Sequence, residues 1–153
     1  MEEVNIVRWD DAHKEDWIEL SLSWLKKHDM LEEKDLEMIH NPYDEILNDG
    51  GMIFFAKYKD EVVGTVSMVR QDETTFELAK LGVSEEYQSL GVGKKLMECC
   101  FDFAKHKNAK QIILFTAREL ESAVGLYEKY GFHRVPMEDP SYEEVDIKMV
   151  RNV

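Results

Sequence analysis

Proline, cysteine and long apolar runs are all scarce in this chain of 153 residues. With three prolines and eight glycines, no segment has the composition of a flexible linker, and we expect 1–153 to form a single domain. No apolar stretch approaches the roughly 20 residues that a membrane-spanning helix needs. The first four residues, Met-Glu-Glu-Val, lack the basic-then-apolar order of a signal peptide. These absences predict a cytoplasmic protein that does not bind membranes.

The two cysteines are adjacent, Cys99 and Cys100, on a predicted helix. Neighbouring helical side chains point in different directions, so a disulfide between them would be strained. No histidine or further cysteine stands at metal-ligand spacing around them, and we predict no metal site. We interpret both as small hydrophobic residues in or near the core.

Basic residues are in the minority, with 19 against 32 acidic ones and a formal net charge of -13. This excess argues against binding nucleic acid or an anionic membrane through a broad surface. It would suit a cationic substrate such as an amine, and it would equally serve solubility alone. The charge leaves both interpretations open.

The spacing of apolar residues predicts an α+β chain. Predicted helices cover 14–28, 32–39, 92–105 and 120–130, and predicted strands cover 5–9, 52–56, 62–66, 75–83, 111–115, 132–135 and 145–150. Three consecutive strands from Met52 form a meander, and a helix then joins the fourth strand to the fifth in parallel. We expect a mixed, mostly antiparallel sheet of six to seven strands flanked by about four helices.

A glycine-rich turn, residues 88–94, lies between predicted strand 75–83 and predicted helix 92–105. The first turn of a helix presents backbone N–H groups that no intrahelical carbonyl can reach, and its dipole favours an anion there. Gly91 and Gly93 have no Cβ and allow a ligand to approach the main chain closely. The turn therefore predicts a site for a phosphate or pyrophosphate.

Two common phosphate-binding motifs do not match this turn. A Walker-type P-loop needs glycine where Gln88 stands and serine or threonine where Lys95 stands. A dinucleotide fingerprint needs a third glycine where Leu96 stands, and it follows the first strand of a βαβ unit rather than a meander. The turn therefore matches neither motif.

Residues 88–93 match the Gln/Arg-x-x-Gly-x-Gly/Ala signature of the GNAT N-acetyltransferase superfamily, with Gln88 where arginine is commoner. Residues 123–132 resemble that family's Ala-x-x-Leu-Tyr-x-x-x-Gly-Phe motif, and residues 77–83 resemble its fourth strand. The segments occur in the family's order, and the resemblance covers about 51–132. Many members carry asparagine three residues before Ala123, where this chain has Leu120, which offers no side-chain hydrogen bond to a cofactor.

The resemblance implies an N-acetyltransferase with acetyl-CoA as cofactor and CoA as co-product. It implies direct attack, within a ternary complex, by a primary amine of a small molecule, peptide or protein. The pantetheine arm would pair like an added strand with the fourth strand, where the family has a bulge that splays it from the fifth. The residues assigned to the cofactor are Leu81, Gly82, Val83, Gln88, Ser89, Leu90, Gly91, Val92, Gly93 and Lys94.

The resemblance also indicates two catalytic residues. Tyr127 matches the family's tyrosine and is the candidate for protonating the leaving thiolate, although its position equally fits a helix face packed on the sheet. Glu77 is the candidate base, acting directly or through water. The alternative interpretation is a glutamate without this role at the solvent-exposed end of its strand. Strand alternation places Glu77 on the same face as Leu81 and Val83.

The acceptor should be set by the first 50 residues and residues 135–144. Their acidic and aromatic side chains are Trp24, Glu32, Glu33, Tyr43, Asp44, Glu138, Asp139, Tyr142, Glu143 and Glu144. Lys94 or Lys95 would meet the 3′-phosphate of CoA, and His133 follows the Gly-Phe motif. Two other functions stay open: an acyl-CoA-binding regulatory module without turnover, and a nucleotide-binding protein outside the family. A homodimer is compatible with the family.

Overall fold

The computed structural model describes residues 3–118, 120–137 and 146–153, apart from the side chains of Ser89, Glu121 and Ser122. The strands are β1 (Asn5–Arg8), β2 (Met52–Tyr58), β3 (Glu61–Arg70), β4 (Thr75–Val83), β5 (Gln111–Thr116), β6 (His133–Val135) and β7 (Ile147–Asn152). The α-helices are α1 (Lys14–Lys27), α2 (Glu33–His40), α3 (Val92–His106) and α4 (Glu121–Lys129). No helix in the described ranges is both long and apolar enough to cross a membrane.

The seven strands found in the described residues form one sheet in the order β1-β2-β3-β4-β5-β7-β6. Strands β1 to β4 are an antiparallel meander, and α3 then carries the chain to β5, which runs parallel to β4. Strand β7 pairs antiparallel with both β5 and β6. The predicted mixed, mostly antiparallel architecture is confirmed. Residues 138–145 lie outside the described residues, and with them five predicted acceptor residues: Glu138, Asp139, Tyr142, Glu143 and Glu144.

Helix α3 covers one face of the sheet with an apolar stripe. Leu96, Met97 and Cys100 are fully buried there against strand residues such as Phe76. Burial raises the pKa of the Cys100 thiol well above its usual value, and burial also raises that of Cys99. Both cysteines stay protonated and unreactive, as expected of small hydrophobic core residues.

Helices α1 and α2 cover the other face and are joined by one buried hydrogen bond. The indole Nε1 of Trp17, a fully buried side chain, donates to the carbonyl of Ile39 at 2.9 Å. This carbonyl belongs to the last turn of α2, whose carbonyls lack intrahelical donors. The bond holds α1 and α2 together, and both helices line the cavity of the candidate active site.

Strand β4 contains a bulge in its middle. Its register against β3 pairs Gly82 with Thr65 and Ala79 with Ser67, so two β4 residues lie between positions that are two apart in β3. One of the two, Lys80, has a φ of +57°. On its other side β4 pairs with β5 only over residues 75–77. The bulge and the splayed edge that the resemblance implied are both present.

The bulge also overturns one prediction. Leu81 and Val83 pack against the core on the α3 face, whereas Ala79 packs against the cluster around Trp17 on the opposite face. Glu77 therefore does not share a face with Leu81 and Val83. The physical reason is that one extra residue in a strand shifts the alternation of all later side chains by one position.

Candidate active site

A cavity of about 100 Å³ opens where β4 separates from β5. Its walls come from α1, the start of α2, β4, β5 and α4. Both side chains predicted to be catalytic, Glu77 and Tyr127, line it, as do Leu81 and Gly82 of the predicted cofactor set. The strand separation thus brings together residues that lie 50 positions apart in the sequence.

A second cleft, of about 560 Å³, lies between α1 and the turn that follows β4. Val83 and Gln88 line this cleft, and Leu20 and Trp24 line both it and the smaller cavity. Because the two spaces share these residues of α1, they lie side by side. The wider one extends along the turn before α3, and the smaller one contains Glu77 and Tyr127.

The N-terminus of α3 faces open space. Gly91 adopts a left-handed φ of +74°, and the first intrahelical hydrogen bond at this end runs from Lys95 N to Gly91 O at 3.2 Å. A Cβ added to Gly93 would meet no atom within 4 Å, so internal packing does not require glycine there. Free backbone N–H groups beside unfilled space suit an anionic group such as a pyrophosphate.

The side chains around this turn have different roles. Gln88 Nε2 donates to the carbonyl of Val83 at 3.2 Å and holds the turn against the end of β4. Lys94 is exposed, and its Nζ lies 4.0 Å from Oε1 of Glu98, one helical turn further on. Lys95 Nζ donates to the carbonyl of Val4 at 3.1 Å, which directs it to the start of β1.

Lys27, which sequence reasoning missed, bridges α1 and the turn. Its Nζ lies 2.5 Å from Oε1 of Glu85, and both side chains are largely exposed. An exposed ion pair contributes little to stability, so Lys27 can exchange this partner at low cost. Its place at the wide cleft makes it a cation beside the turn that leads to α3.

Glu77 is partly buried, and Gln71 Nε2 donates to its Oε1 at 3.0 Å. Burial raises the pKa of Glu77 to about 7, while the charges of Lys80 and Lys34 oppose the rise and that of Asp35 adds to it. A carboxyl group that titrates near neutral pH can accept a proton from a bound substrate. The environment supports the role of a general base.

Tyr127 packs against a neighbouring aromatic side chain and also reaches the cavity, so its position is compatible with both interpretations of its place in the sequence. Its ring packs edge-on against Phe132 at 5.9 Å, and the residue also lines the cavity. Among the described residues its hydroxyl has no hydrogen-bond partner. Burial raises the pKa of Tyr127 to about 12, so the hydroxyl keeps its proton at neutral pH and can donate a hydrogen bond into the cavity.

A buried ion pair on the cavity wall, Lys80 with Asp35, was also missed from the sequence. Lys80 Nζ lies 2.5 Å from Asp35 Oδ1, and the two side chains are 8% and 3% exposed. Asp35 Oδ2 also accepts from the backbone N–H of Glu32 at 3.0 Å, which completes the capping box of α2. The left-handed backbone of Lys80 costs about 1 kcal/mol. The capping box joins residues that are close in the sequence and can be recognised there. The contact between Lys80 and Asp35 cannot, because these two residues are 45 positions apart.

Other predicted residues divide between the cavity and the surface. Trp24 and Glu32 line the cavity, whereas Tyr43 donates to Asp11 in a surface cluster with Trp9. His133 is exposed on β6. Within the described parts of the chain, no three His, Cys, Asp or Glu side chains come together as metal ligands.

Residues 9–132 match the Acetyltransferase (GNAT) family. Human N-acetyltransferase 8B is 28% identical over 124 residues, which are 77% of this chain and 53% of that protein. N-alpha-acetyltransferase 30 of Schizosaccharomyces pombe is 34% identical over 86 residues, 53% of this chain and 57% of that protein. The chain spans about half the length of the curated relatives it matches.

Solved structures share the fold over nearly the whole chain. An acetyltransferase of the GNAT family from Staphylococcus aureus Mu50 has a TM-score of 0.87 and 28% identity, covering 98% of this chain and 99% of that one. The PaiA N-acetyltransferase of Thermoplasma acidophilum, solved in complex with coenzyme A, has a TM-score of 0.78 and 19% identity, covering 99% and 100%.

The environment of Glu77 makes a prediction about stability. Its pKa is raised from 4.5 to about 7 on folding, so its contribution favours the folded state fully below pH 4.5 and is lost as the pH rises to 7. Urea unfolding of the wild type and Glu77→Gln between pH 4 and 8 measures this difference. We expect the free energy of unfolding of the wild type, relative to the variant, to fall by about 2 kcal/mol across that range. Parallel pH curves for the two proteins would contradict the raised pKa.

Proposed function

The chain belongs to the Acetyltransferase (GNAT) family, and from that premise we propose that it transfers the acetyl group of acetyl-CoA to a primary amine of a small molecule or peptide. One observation carries the proposal: the cleft along the turn that leads to α3 adjoins the cavity lined by Glu77 and Tyr127. A long ligand with an anionic part at one end and a reactive group at the other suits two such adjoining spaces. Acetyl-CoA supplies the acetyl group as a thioester.

The cofactor would be held mainly by backbone groups. The first-turn N–H groups of α3 and the space beside Gly93 accept the pyrophosphate, with Lys27 and Lys94 as nearby cations. The unpaired edge of β4 beyond residue 77 offers N–H and C=O groups to the pantetheine amides. The residues predicted for the cofactor from the sequence keep this role as a proposal.

Glu77 would accept the proton that the acceptor amine must lose. An amine attacks only through its free electron pair, so a base beside the cavity raises the fraction of reactive amine. With a pKa of about 7, Glu77 is a stronger base than an ordinary carboxylate and is still largely ionised just above neutral pH. The new C–N bond forms as the C–S bond of the thioester breaks.

Tyr127 would donate a hydrogen bond to the sulfur as negative charge develops on it. A tyrosine with a pKa of about 12 is a weaker acid than a thiol near 8.5, so full proton transfer from the hydroxyl is uphill. Tyr127 therefore stabilises the leaving thiolate chiefly as a donor, and solvent protons complete the thiol. This refines the role of thiolate protonation that the family resemblance implied.

Ligand-dependent thermal melting tests the proposal as a whole. A specific ligand adds RT ln(1 + [L]/Kd) to stability, about 2.7 kcal/mol at a hundredfold excess over Kd. We expect CoA and acetyl-CoA to raise the melting temperature, and ATP and NAD to leave it nearly unchanged. Protection by ATP or NAD alone would support a nucleotide-binding protein instead. Release of CoA thiol in the presence of a panel of primary amines then measures turnover.

Gly93→Ala separates cofactor binding from stability. The added methyl group meets no protein atom, and alanine is the better helix former by up to about 1 kcal/mol. The variant should fold at least as stably as the wild type and bind CoA at least tenfold more weakly, because the methyl group occupies ligand space. Circular-dichroism melts and calorimetric titration with CoA measure the two effects.

Gly125→Ala is the matched control for that variant. Gly125 also lies in a helix, α4, and a Cβ there would likewise meet nothing within 4 Å. Because Gly125 lies in a different helix from the proposed pyrophosphate site, its alanine variant should be stabilised and should bind CoA normally. Equal CoA affinity for the two variants would place the pyrophosphate elsewhere.

Tyr127→Phe tests turnover apart from binding. The variant keeps the ring that packs on Phe132 and loses only the hydroxyl. We expect kcat to fall about 100-fold while the Kd for CoA stays within twofold. Tyr130→Phe, at the C-cap of the same helix, is the control and should keep full activity. CoA binding without any turnover in the wild type would favour the regulatory-module alternative.

A further inference from the structure

The free energy of folding does not explain why Lys80 and Asp35 form a buried ion pair. Removing two charges from water costs about as much as their attraction returns, and an apolar pair of similar volume is often as stable. Lys80 and Asp35 are nevertheless both more than nine-tenths buried, at 2.5 Å from one another. Both also line the cavity that holds Glu77.

The backbone of Lys80 is a second, independent anomaly. The bulge residue adopts a left-handed φ of +57°, a conformation that glycine adopts without strain. A glycine would form the same bulge with less strain but would carry no ammonium group. The chain instead places a lysine at the point where β4 leaves β5, three residues after Glu77.

We propose that Lys80 and Asp35 form a positioning pair that ties the first turn of α2 to the β4 bulge and fixes the charge that Glu77 faces. The pair contacts neither the acceptor amine nor the acetyl group in this role. It acts through Glu77, and the inference therefore rests on the proposed function of Glu77 as the base. The pair also connects α2, which lines the cavity proposed for the acceptor, to the strand edge proposed for pantetheine.

The charges around Glu77 explain how the pair would act. Among the described residues, the charged and titratable groups facing Glu77 are Lys80 from β4, Glu32, Lys34 and Asp35 from the start of α2, and Tyr127 from α4. Burial favours the neutral carboxyl of Glu77, Lys80 favours the carboxylate, and Asp35 opposes Lys80. The two members of the pair therefore influence Glu77 in opposite directions.

Because the two charges act on Glu77 in opposite directions, removing each one separately should shift its titration in opposite directions. In Lys80→Met the lost positive charge should move the acidic limb of the kcat/KM profile, and the titration of Glu77, upward by roughly 0.5 pH unit or more. In Asp35→Asn the same quantities should move downward. If the pair only stabilised the fold, both variants would have a lower melting temperature, and the acidic limb of the kcat/KM profile would not shift in opposite directions. Carboxyl ¹³C NMR of Glu77, assigned with Glu77→Gln, follows the titration directly in the CoA-bound protein.

Two further variants keep the test decisive. The double variant Asp35→Asn/Lys80→Met removes both charges, should fold even if a single variant does not, and should titrate closer to the wild type than either one. Lys34→Met removes an exposed charge and should shift Glu77 upward by less than Lys80→Met, because water screens it. Shifts of one sign in both single variants, or no shift, would overturn the pair's role. An inactive wild type whose Glu77 still shifts in opposite directions would overturn the proposed function and leave the pair's electrostatic role standing.

Discussion

The extra residue in β4 is the constraint on which the rest of the site depends. Parallel strands joined by a helix normally pair along their length, and β4 and β5 begin to do so at residues 75–77. The bulge at Lys80 then bends β4 away, so the edge beyond it has unpaired backbone groups and a cavity forms in the gap. Without the bulge, pairing would continue, the cavity would close, and Glu77 and Tyr127 would be separated by a continuous sheet.

The same bulge divides the strand into two functional halves. Before it, Glu77 and Ala79 face α1 and α2; after it, Leu81 and Val83 face α3. The second half can thus anchor itself in the main core by side chains while its backbone edge stays open. The turn that follows reaches α3 at Gly91, whose left-handed conformation ends the turn and begins the helix. The open strand edge and the helix N-terminus are therefore joined by one short segment of chain.

The sequence was informative where chemistry depends on the backbone. A glycine pattern before a helix predicts an anion site because free N–H groups without a neighbouring Cβ suit an anion in any chain, and the order of strands and helices followed from apolar periodicity. The predicted alternation of β4 side chains between the two faces is wrong from Leu81 onward. A bulge has no local signature in the sequence when its residue is a lysine rather than a glycine. The Asp35–Lys80 contact was unreadable because nothing near either residue specifies a partner 45 positions away.

This difference follows from the two halves of the reaction. The proposed cofactor is common to many proteins, so its site can be built from backbone groups that recur in the same order, and short motifs record it. In the proposed reaction the acceptor half would instead have to tune a particular base and a particular cavity, and this cavity is lined by side chains from α1, α2, β4 and α4. A buried ion pair suits tuning because each charge changes the proton affinity of a neighbour without touching the substrate. Its burial keeps that influence strong, since water would otherwise screen it.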